Sequence, residues 1–319
     1  MTAAPAAPDV LDLVAVGEAM AVLSPNPPAP LRHASTLAMS AAGAEANVAV
    51  HLAALGLRTA FVSRVGDDPF GEMIDDHLRR AGVDARLTTD PTAPTGVYFK
   101  DPGERGTRVH YYRAGSAATG LAAAVWDRCP PARVVHLSGI TPALSATCAG
   151  LVAVALADRP LPDALMSFDV NYRPRLWPPE QAAPVLAELA NQADIVFVGL
   201  DEAATLWGTT TPEQVRGVLK RPAVLVVKDG SVGATAFDAD GMTFEPALPI
   251  EVVEPVGAGD AFAAGYLFGT LTGRPSRERL RLGHHLAADA LLTVADVGIP
   301  PVVAELLAAV TDREDPHEF

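Results

Sequence analysis

Short apolar runs of strand length, "LDLVAVG", "TAFVSRV", "RVVHLSG", "ALMSFDV", "DIVFVG" and "AVLVVKDG", alternate along this chain with segments of helical period such as "AEANVAVHLAALG", "FGEMIDDHLRRAG" and "PEQVRGVLK". Alternating strands and helices argue for a mostly parallel sheet covered by helices on both faces, which is an α/β chain. No internal repeat or linker interrupts the pattern. Two stretches break its rhythm: about residues 19–40, and "TGVYFKDPGERGTRVHYYRAG" over residues 95–115. The second alternates around a Pro-Gly turn and reads as a β-hairpin. Together they are expected to form a small β-sheet lid inserted into the main domain.

At 319 residues and 49% hydrophobic content, the chain is long enough for one large α/β domain or two small ones with a sizeable core. A formal net charge of −14 argues against nucleic acid or an anionic membrane as a partner, since both demand clustered basic charge. The ligand is therefore expected to be small. An acidic ligand would need a local group of arginines working against the global field. Cys129 and Cys148 match no metal-ligand pattern and no disulfide framework, so they read as reduced residues of a cytoplasmic protein. The opening "MTAAPAAPDV" has no basic n-region and no long apolar run, and reads as a disordered tail over residues 1–10, before a domain expected over 11–315.

In open parallel sheets, ligands bind beyond the carboxyl ends of the strands. "VAVGEAM" puts Gly17 and Glu18 just past a strand, "FDVNYRPRLW" does the same for Asn171 and Arg173, and "VVKDGSVG" puts a Gly-rich turn past a third. In "EPVGAGDAFAAGY", residues 254–266, the apolar positions recur at helical spacing from Ala261 onward through Phe262, Tyr266 and Leu267. Gly257 to Asp260 then form the first turn and the loop leading into it. A helix N-terminus exposes unpaired N–H groups, and side-chain-free glycines let an anion approach them, so the loop suits phosphate. Asp260 alone would read as an N-cap; the glycines around it favour an anion site.

The pair "GAEANVAVHLAALG" and "SRVGDDPFGEMI" near one end, with "PVGAGDAFAAGYL" near the other, resembles the ribokinase-like (PfkB) sugar kinases from about Leu11 to Val310. Within that family, "YYRAGSAA" and "FDVNYRPRLW" are most similar to 2-keto-3-deoxygluconate kinases. The resemblance implies a three-layer α/β/α ribokinase-like fold and transfer of the ATP γ-phosphoryl group to a sugar hydroxyl, with Mg²⁺ and an undetermined monovalent-cation requirement. Asp260 would accept the hydroxyl proton, its pKa held low by the helix start, while the N–H groups of Gly257, Ala258 and Gly259 face the phosphoryl oxygens.

The same resemblance implies that Gly43 and Asn47 contact sugar hydroxyls and that Tyr98, Tyr111, Arg113 and Arg173 line the sugar pocket. Two arginines are more than a neutral sugar needs, whereas they suit a sugar-acid carboxylate. The alternative is that "HYYR" is an exposed edge whose aromatics pack between the lids of a homo-oligomer. Lys228, Gly230 and Gly233 would lie near the nucleotide, or form only a Gly-rich turn between two strands. Adenine is expected near "HHLAADALL", where His284 and His285 diverge on their helix and read as ordinary helix residues. Two departures stand out. Gly199 occupies the Asn position of the family's Mg²⁺-associated Asn-x-x-Glu, leaving Glu202 to act through water, and Glu254 stands where the family usually has Asp. A neutral-sugar kinase such as a fructokinase or ribokinase, and a sugar-binding sensor, are the competing readings. No G-x-x-x-x-G-K-[ST] is present, and the first strand ends in "GEAM" rather than the glycine turn of a dinucleotide fold.

Overall fold

The computed structural model describes residues 10–103, 106–250, 252, 256–292 and 303–311. In chain order the first half contains β1 (Leu11–Val16), β2 (Met20–Pro25), β3 (Leu37–Ala42), α1 (Ala44–Ala54), β4 (Thr59–Gly66), α2 (Pro69–Arg80), β5 (Asp84–Asp90), β6 (Val97–Asp101), β7 (Arg108–Tyr112) and β8 (Ala132–Ser138). The second half contains α3 (Ala146–Asp158), β9 (Leu165–Asp169), α4 (Pro179–Ala190), β10 (Ile195–Gly199), α5 (Leu200–Trp207), α6 (Pro212–Val218), β11 (Val224–Asp229), β12 (Gly233–Asp238), β13 (Gly241–Pro246), α7 (Ala258–Leu271), α8 (Ser276–Leu291) and α9 (Val303–Thr311).

The large sheet runs β13-β12-β11-β10-β9-β8-β1-β4-β5. It is parallel from β11 to β5, and β12 and β13 extend it antiparallel at one edge. The strands' continuous apolar runs are explained by burial on both sides. Leu13, Ala15, Val134, Phe197 and Val226 belong to one core with residues of α1, α7 and α8. Their neighbours Val14, Val16, Val135, Val196 and Val227 belong to a second core with residues of α3, α4 and α5. A period of two therefore divides each strand between two helix layers.

Local signals set the helix starts. Asp68 accepts from the N–H groups of Phe70 and Gly71 at 3.1 and 2.9 Å, with Pro69 opening α2, and Thr211 and Pro212 repeat the arrangement at α6. The α1 and α7 helices carry no polar stripe, because both are enclosed by the sheet and other helices.

A second sheet has the order β3-β2-β6-β7. Its β6 and β7 pair antiparallel with Tyr98 opposite Tyr111, which is the hairpin that the alternation around Pro-Gly predicts. Register puts Met20, Val22, Ala42, Tyr98 and Val109 on one face, where they form a small core of their own.

Candidate active site

The carboxyl ends of β1, β9, β10 and β11 and the N-termini of α1 and α7 meet at one end of the large sheet. Gly257 precedes α7 with φ of 88°, a left-handed turn that would cost an ordinary residue about 1–2 kcal/mol. The first N–H groups of α7 have no acceptor within the helix, and Asp260 sits in that first turn. The Asp260 Oδ2 atom accepts from Asn47 Nδ2 at 2.8 Å, and Asn171 Nδ2 lies 3.5 Å from Oδ1. The backbone of Asn171 is itself left-handed, with φ of 40° directly after β9 and its Val170 extension. Its side-chain Oδ1 is buried with no partner among the described residues, which leaves one acceptor for a ligand.

Positive charge borders this carboxylate. Lys228 Nζ donates to Asp169 Oδ2 at 2.9 Å, and a Cβ placed on Gly259 would lie 3.5 Å from the same ammonium. Burial works against the lysine's charge, but Asp169 and Glu202, with Asp260, raise its pKa above the usual lysine value. Arg173 Nη1 stands 3.7 Å from Glu202 Oε1, while Glu202 Oε2 accepts the Gly199 N–H at 3.0 Å. Burial, and then the Asp169 charge, push Glu202 up to about 7.

Asp260 departs from expectation. The helix start predicts a low pKa, but burial pushes its carboxyl up to about 7, and the Asp169 charge adds to the rise. The Asn47 hydrogen bond and the charges of Arg173 and Lys228 pull the other way without offsetting it. Removal from water outweighs a few oriented dipoles here.

The other expected residues fall into three groups. Asn47, Arg173, Glu202, Lys228 and the Gly257 to Gly259 turn gather around Asp260. Gly43, Tyr98, Tyr111 and Arg113 stand where the smaller sheet joins the larger. Gly43 caps α1, and a side chain there would collide with the Glu18 carbonyl. The Tyr98 and Tyr111 rings are 5.4 Å apart, and the Arg113 guanidinium lies 5.7 Å from the Tyr111 centroid. Arg113 is not a free cation: its Nη2 is ion-paired with Glu18, and both side chains are buried.

Gly230 and Gly233 flank the β11–β12 turn. Gly230 is exposed at φ of 48°, and Gly233 is buried against the carbonyl of Glu245 on β13, so the sheet ladder itself demands a glycine at 233. His284 bonds the Glu245 carbonyl at 3.0 Å and packs edge-on to Phe262, a helix residue with a structural partner. Glu254 lies outside the described residues.

Glu18, Asp169 and Asn171 are among the polar residues at this end to which the motifs assign no role. Their one signal in the sequence is position, directly after or at the end of an apolar strand run in "VAVGEAM" and "FDVNYR". Among the described residues no group of three or more His, Cys, Asp or Glu side chains could hold a metal ion, and no helix is long and apolar enough to cross a membrane.

Residues 10–297 match the model of the pfkB family carbohydrate kinases. A 2-dehydro-3-deoxygluconokinase of Bacillus subtilis is 35% identical over 97% of this chain and 98% of its own length. One of Thermoproteus tenax is 36% identical over 89% of this chain and 88% of its own. Among solved structures, the 2-dehydro-3-deoxygluconokinase of Thermotoga maritima superposes with a TM-score of 0.85 at 25% identity, over 94% of this chain and 98% of that one. A match across nearly the whole chain, with an aspartate at a glycine-lined helix start on a ribokinase-like fold, means that this chain belongs to the pfkB family and is an ATP-dependent carbohydrate kinase.

Proposed function

We propose that this enzyme converts 2-keto-3-deoxygluconate, the 2-dehydro-3-deoxygluconate of its relatives' names, to its 6-phosphate. The observation that carries the chemistry is the Asp260 carboxyl, held by Asn47 and faced by Asn171 at the start of α7, with Lys228 alongside. In the reaction the sugar oxygen bonds to the γ-phosphorus of ATP as the bond from phosphorus to the ADP oxygen breaks. The hydroxyl proton passes to Asp260. A carboxyl with a pKa of about 7 is ionised in part at neutral pH and is a better acceptor than an ordinary aspartate. The N–H groups of Gly257, Ala258 and Gly259, with the Lys228 ammonium, offer donors to the equatorial oxygens of the transferring group.

Magnesium binds enzymes through one or two carboxylates together with substrate phosphates and water. Glu202 and Asp169 fit that pattern: two acids near the phosphate-facing turn, without a closed protein cage. Bound there, Mg²⁺ would neutralise phosphate charge.

The substrate class rests on the relatives' names and on Arg173, whose side chain is 46% exposed while its charge reaches Asp260. The smaller sheet, with Tyr98, Tyr111 and Arg113 at its base, acts as a lid over the sugar. Its outer face carries Leu23, Met39, Phe99 and Tyr112 in register and suits a second copy of this chain. A neutral-sugar kinase remains the second reading for one reason: Glu18 already neutralises Arg113, leaving Arg173 as the more open cation.

The deciding experiment is ATP turnover with Mg²⁺ on 2-keto-3-deoxygluconate, 2-ketogluconate, fructose and ribose. One or two charge-assisted hydrogen bonds predict a kcat/KM preference for the keto-deoxy acid of about 10-fold to 100-fold over fructose. Preference for fructose or ribose would overturn the substrate while leaving the kinase chemistry intact.

A further inference from the structure

The chain crosses between the large and the small sheet four times, and all four crossings touch one side chain or its backbone. Glu18 lies in the first crossing, from β1 to β2. At the second, from β3 to α1, a side chain on Gly43 would collide with the Glu18 carbonyl. At the third, before β6, a Cβ on Gly96 would lie 2.7 Å from Glu18 Oε1. At the fourth, after β7, Arg113 pairs with Glu18 Oε2 and Ser116 Oγ donates to Oε1 at 2.6 Å. The glycine at 96 leaves room for this carboxylate, and the glycine at 43 for the backbone carbonyl of the same residue.

The Glu18 side chain is 1% exposed and that of Arg113 is 9% exposed. A buried carboxylate and guanidinium in contact, with a serine on the remaining oxygen, hold one geometry, because separating the ion pair strands charge away from water and losing the serine leaves a buried oxygen unsatisfied. Arg113 uses Nη2 for Glu18, and its Nε is buried with no partner among the described residues. A buried, unpartnered donor on a fixed guanidinium is poised for an acceptor that arrives with a ligand. The other acid near Arg113 is Glu45, whose Oε1 accepts hydrogen bonds from the Ser138 and Thr141 hydroxyls at 2.7 and 2.8 Å. Glu18 is the acid ion-paired with Arg113.

We infer that Glu18 is a positioning residue: it fixes the Arg113 guanidinium and the four crossings around it, so that Arg113 Nε meets an oxygen of the bound sugar and the lid is aligned over it. The inference rests on the proposed sugar site, and it adds to that site a residue which touches neither sugar nor nucleotide. It also explains why an arginine assigned to substrate binding carries an internal counter-ion. Orientation, rather than free charge, is what Glu18 supplies.

The test is a double-mutant cycle of Glu18→Gln and Arg113→Ala, assayed with whichever sugar the wild-type enzyme prefers. The expected result is a rise in sugar KM of about 10-fold or more in Glu18→Gln, with KM for ATP and kcat changed less than threefold. The double variant should have the sugar KM of Arg113→Ala alone, because Glu18 acts through Arg113. Independent, additive effects in the cycle, or an unchanged sugar KM in Glu18→Gln beside a raised one in Arg113→Ala, overturn the inference. A wild-type preference for a neutral sugar overturns only the substrate reading. Should Glu18→Gln fail to fold, Ser116→Ala removes one anchor of Glu18 and keeps the ion pair. Its sugar KM should rise about threefold to tenfold, and an unchanged value counts against the inference in the same way.

Discussion

Asp260 performs its role through a balance that a single substitution separates into two readouts. Replacing it by Asn removes the proton acceptor while keeping an oxygen for Asn47, so turnover should fall about 10²-fold to 10⁴-fold in an intact fold. The stability effect has the opposite sign. Its folded pKa of about 7 stands above the ordinary 3.8, so its stabilising contribution is complete below pH 4 and is lost as pH rises through 7. The melting temperature of Asp260→Asn relative to wild type should therefore increase from pH 5 to pH 8, even though the variant turns over far more slowly. Thermal melts of both proteins at the two pH values check this, and a difference that stays flat or shrinks would remove burial as the controlling effect. The motif names Asp260 without the rest of the chain. Its pKa was not legible, because the burial and the Asp169 charge that raise it come from segments distant in sequence. Asn47 reaches the same carboxylate across 213 positions, and only the fold brings the two together.

At the level of elements, period and turn chemistry predict the parallel strands, the β6–β7 hairpin and the glycine-led start of α7. The antiparallel β12–β13 edge is harder to read, since the glycine at 233 signals a turn before β12 and gives no sign of the β13 strand packed against it. The two glycines before Asp260 differ in what they are for, and that difference is testable. Gly257 has φ of 88°, so Gly257→Ala should destabilise the protein by about 1–2 kcal/mol. Gly259 is helical and exposed, and a methyl group there would meet only the Lys228 ammonium at 3.5 Å. Gly259→Ala should leave stability unchanged or slightly improved, as alanine is the better helix former. It should nevertheless raise KM for ATP about 10-fold, by placing a methyl group between the helix N–H groups and the ammonium that would share the phosphate. Urea melts and ATP titrations separate the two. Equal destabilisation, or an unaltered KM in Gly259→Ala, would mean that the turn serves the fold alone.

For the molecule as a whole, the smaller sheet poses a packing problem that one chain does not solve. Its inner face is closed by Met20, Val22 and Tyr98, but its outer face aligns Met39 with Leu23 and Leu23 with Phe99, while the Phe99 and Tyr112 rings meet edge-on at 5.6 Å. Met39 and Tyr112 are 62% and 68% exposed. A sheet apolar on both faces is stable in water when both are covered, and a contiguous apolar patch marks an interaction surface. The period-two pattern of "HYYR" already separates Tyr111 from Tyr112, but which face meets solvent depends on how the sheet sits on the core. A second copy of the same face is the cover that a homo-oligomer supplies. Each copy carries a formal charge of −14, so association driven by apolar burial works against mutual repulsion. Raising salt shortens the screening length from about 10 Å at 0.1 M and should strengthen such an oligomer, whereas an interface held by ion pairs would weaken. Sedimentation velocity at micromolar protein should show an oligomer whose dissociation constant falls between 0.05 and 0.5 M NaCl, and Met39→Lys with Tyr112→Lys should yield monomers that retain an ordered fold. A wild-type monomer at every salt concentration, or an oligomer indifferent to both lysines, would assign the outer face of the lid to something other than self-association.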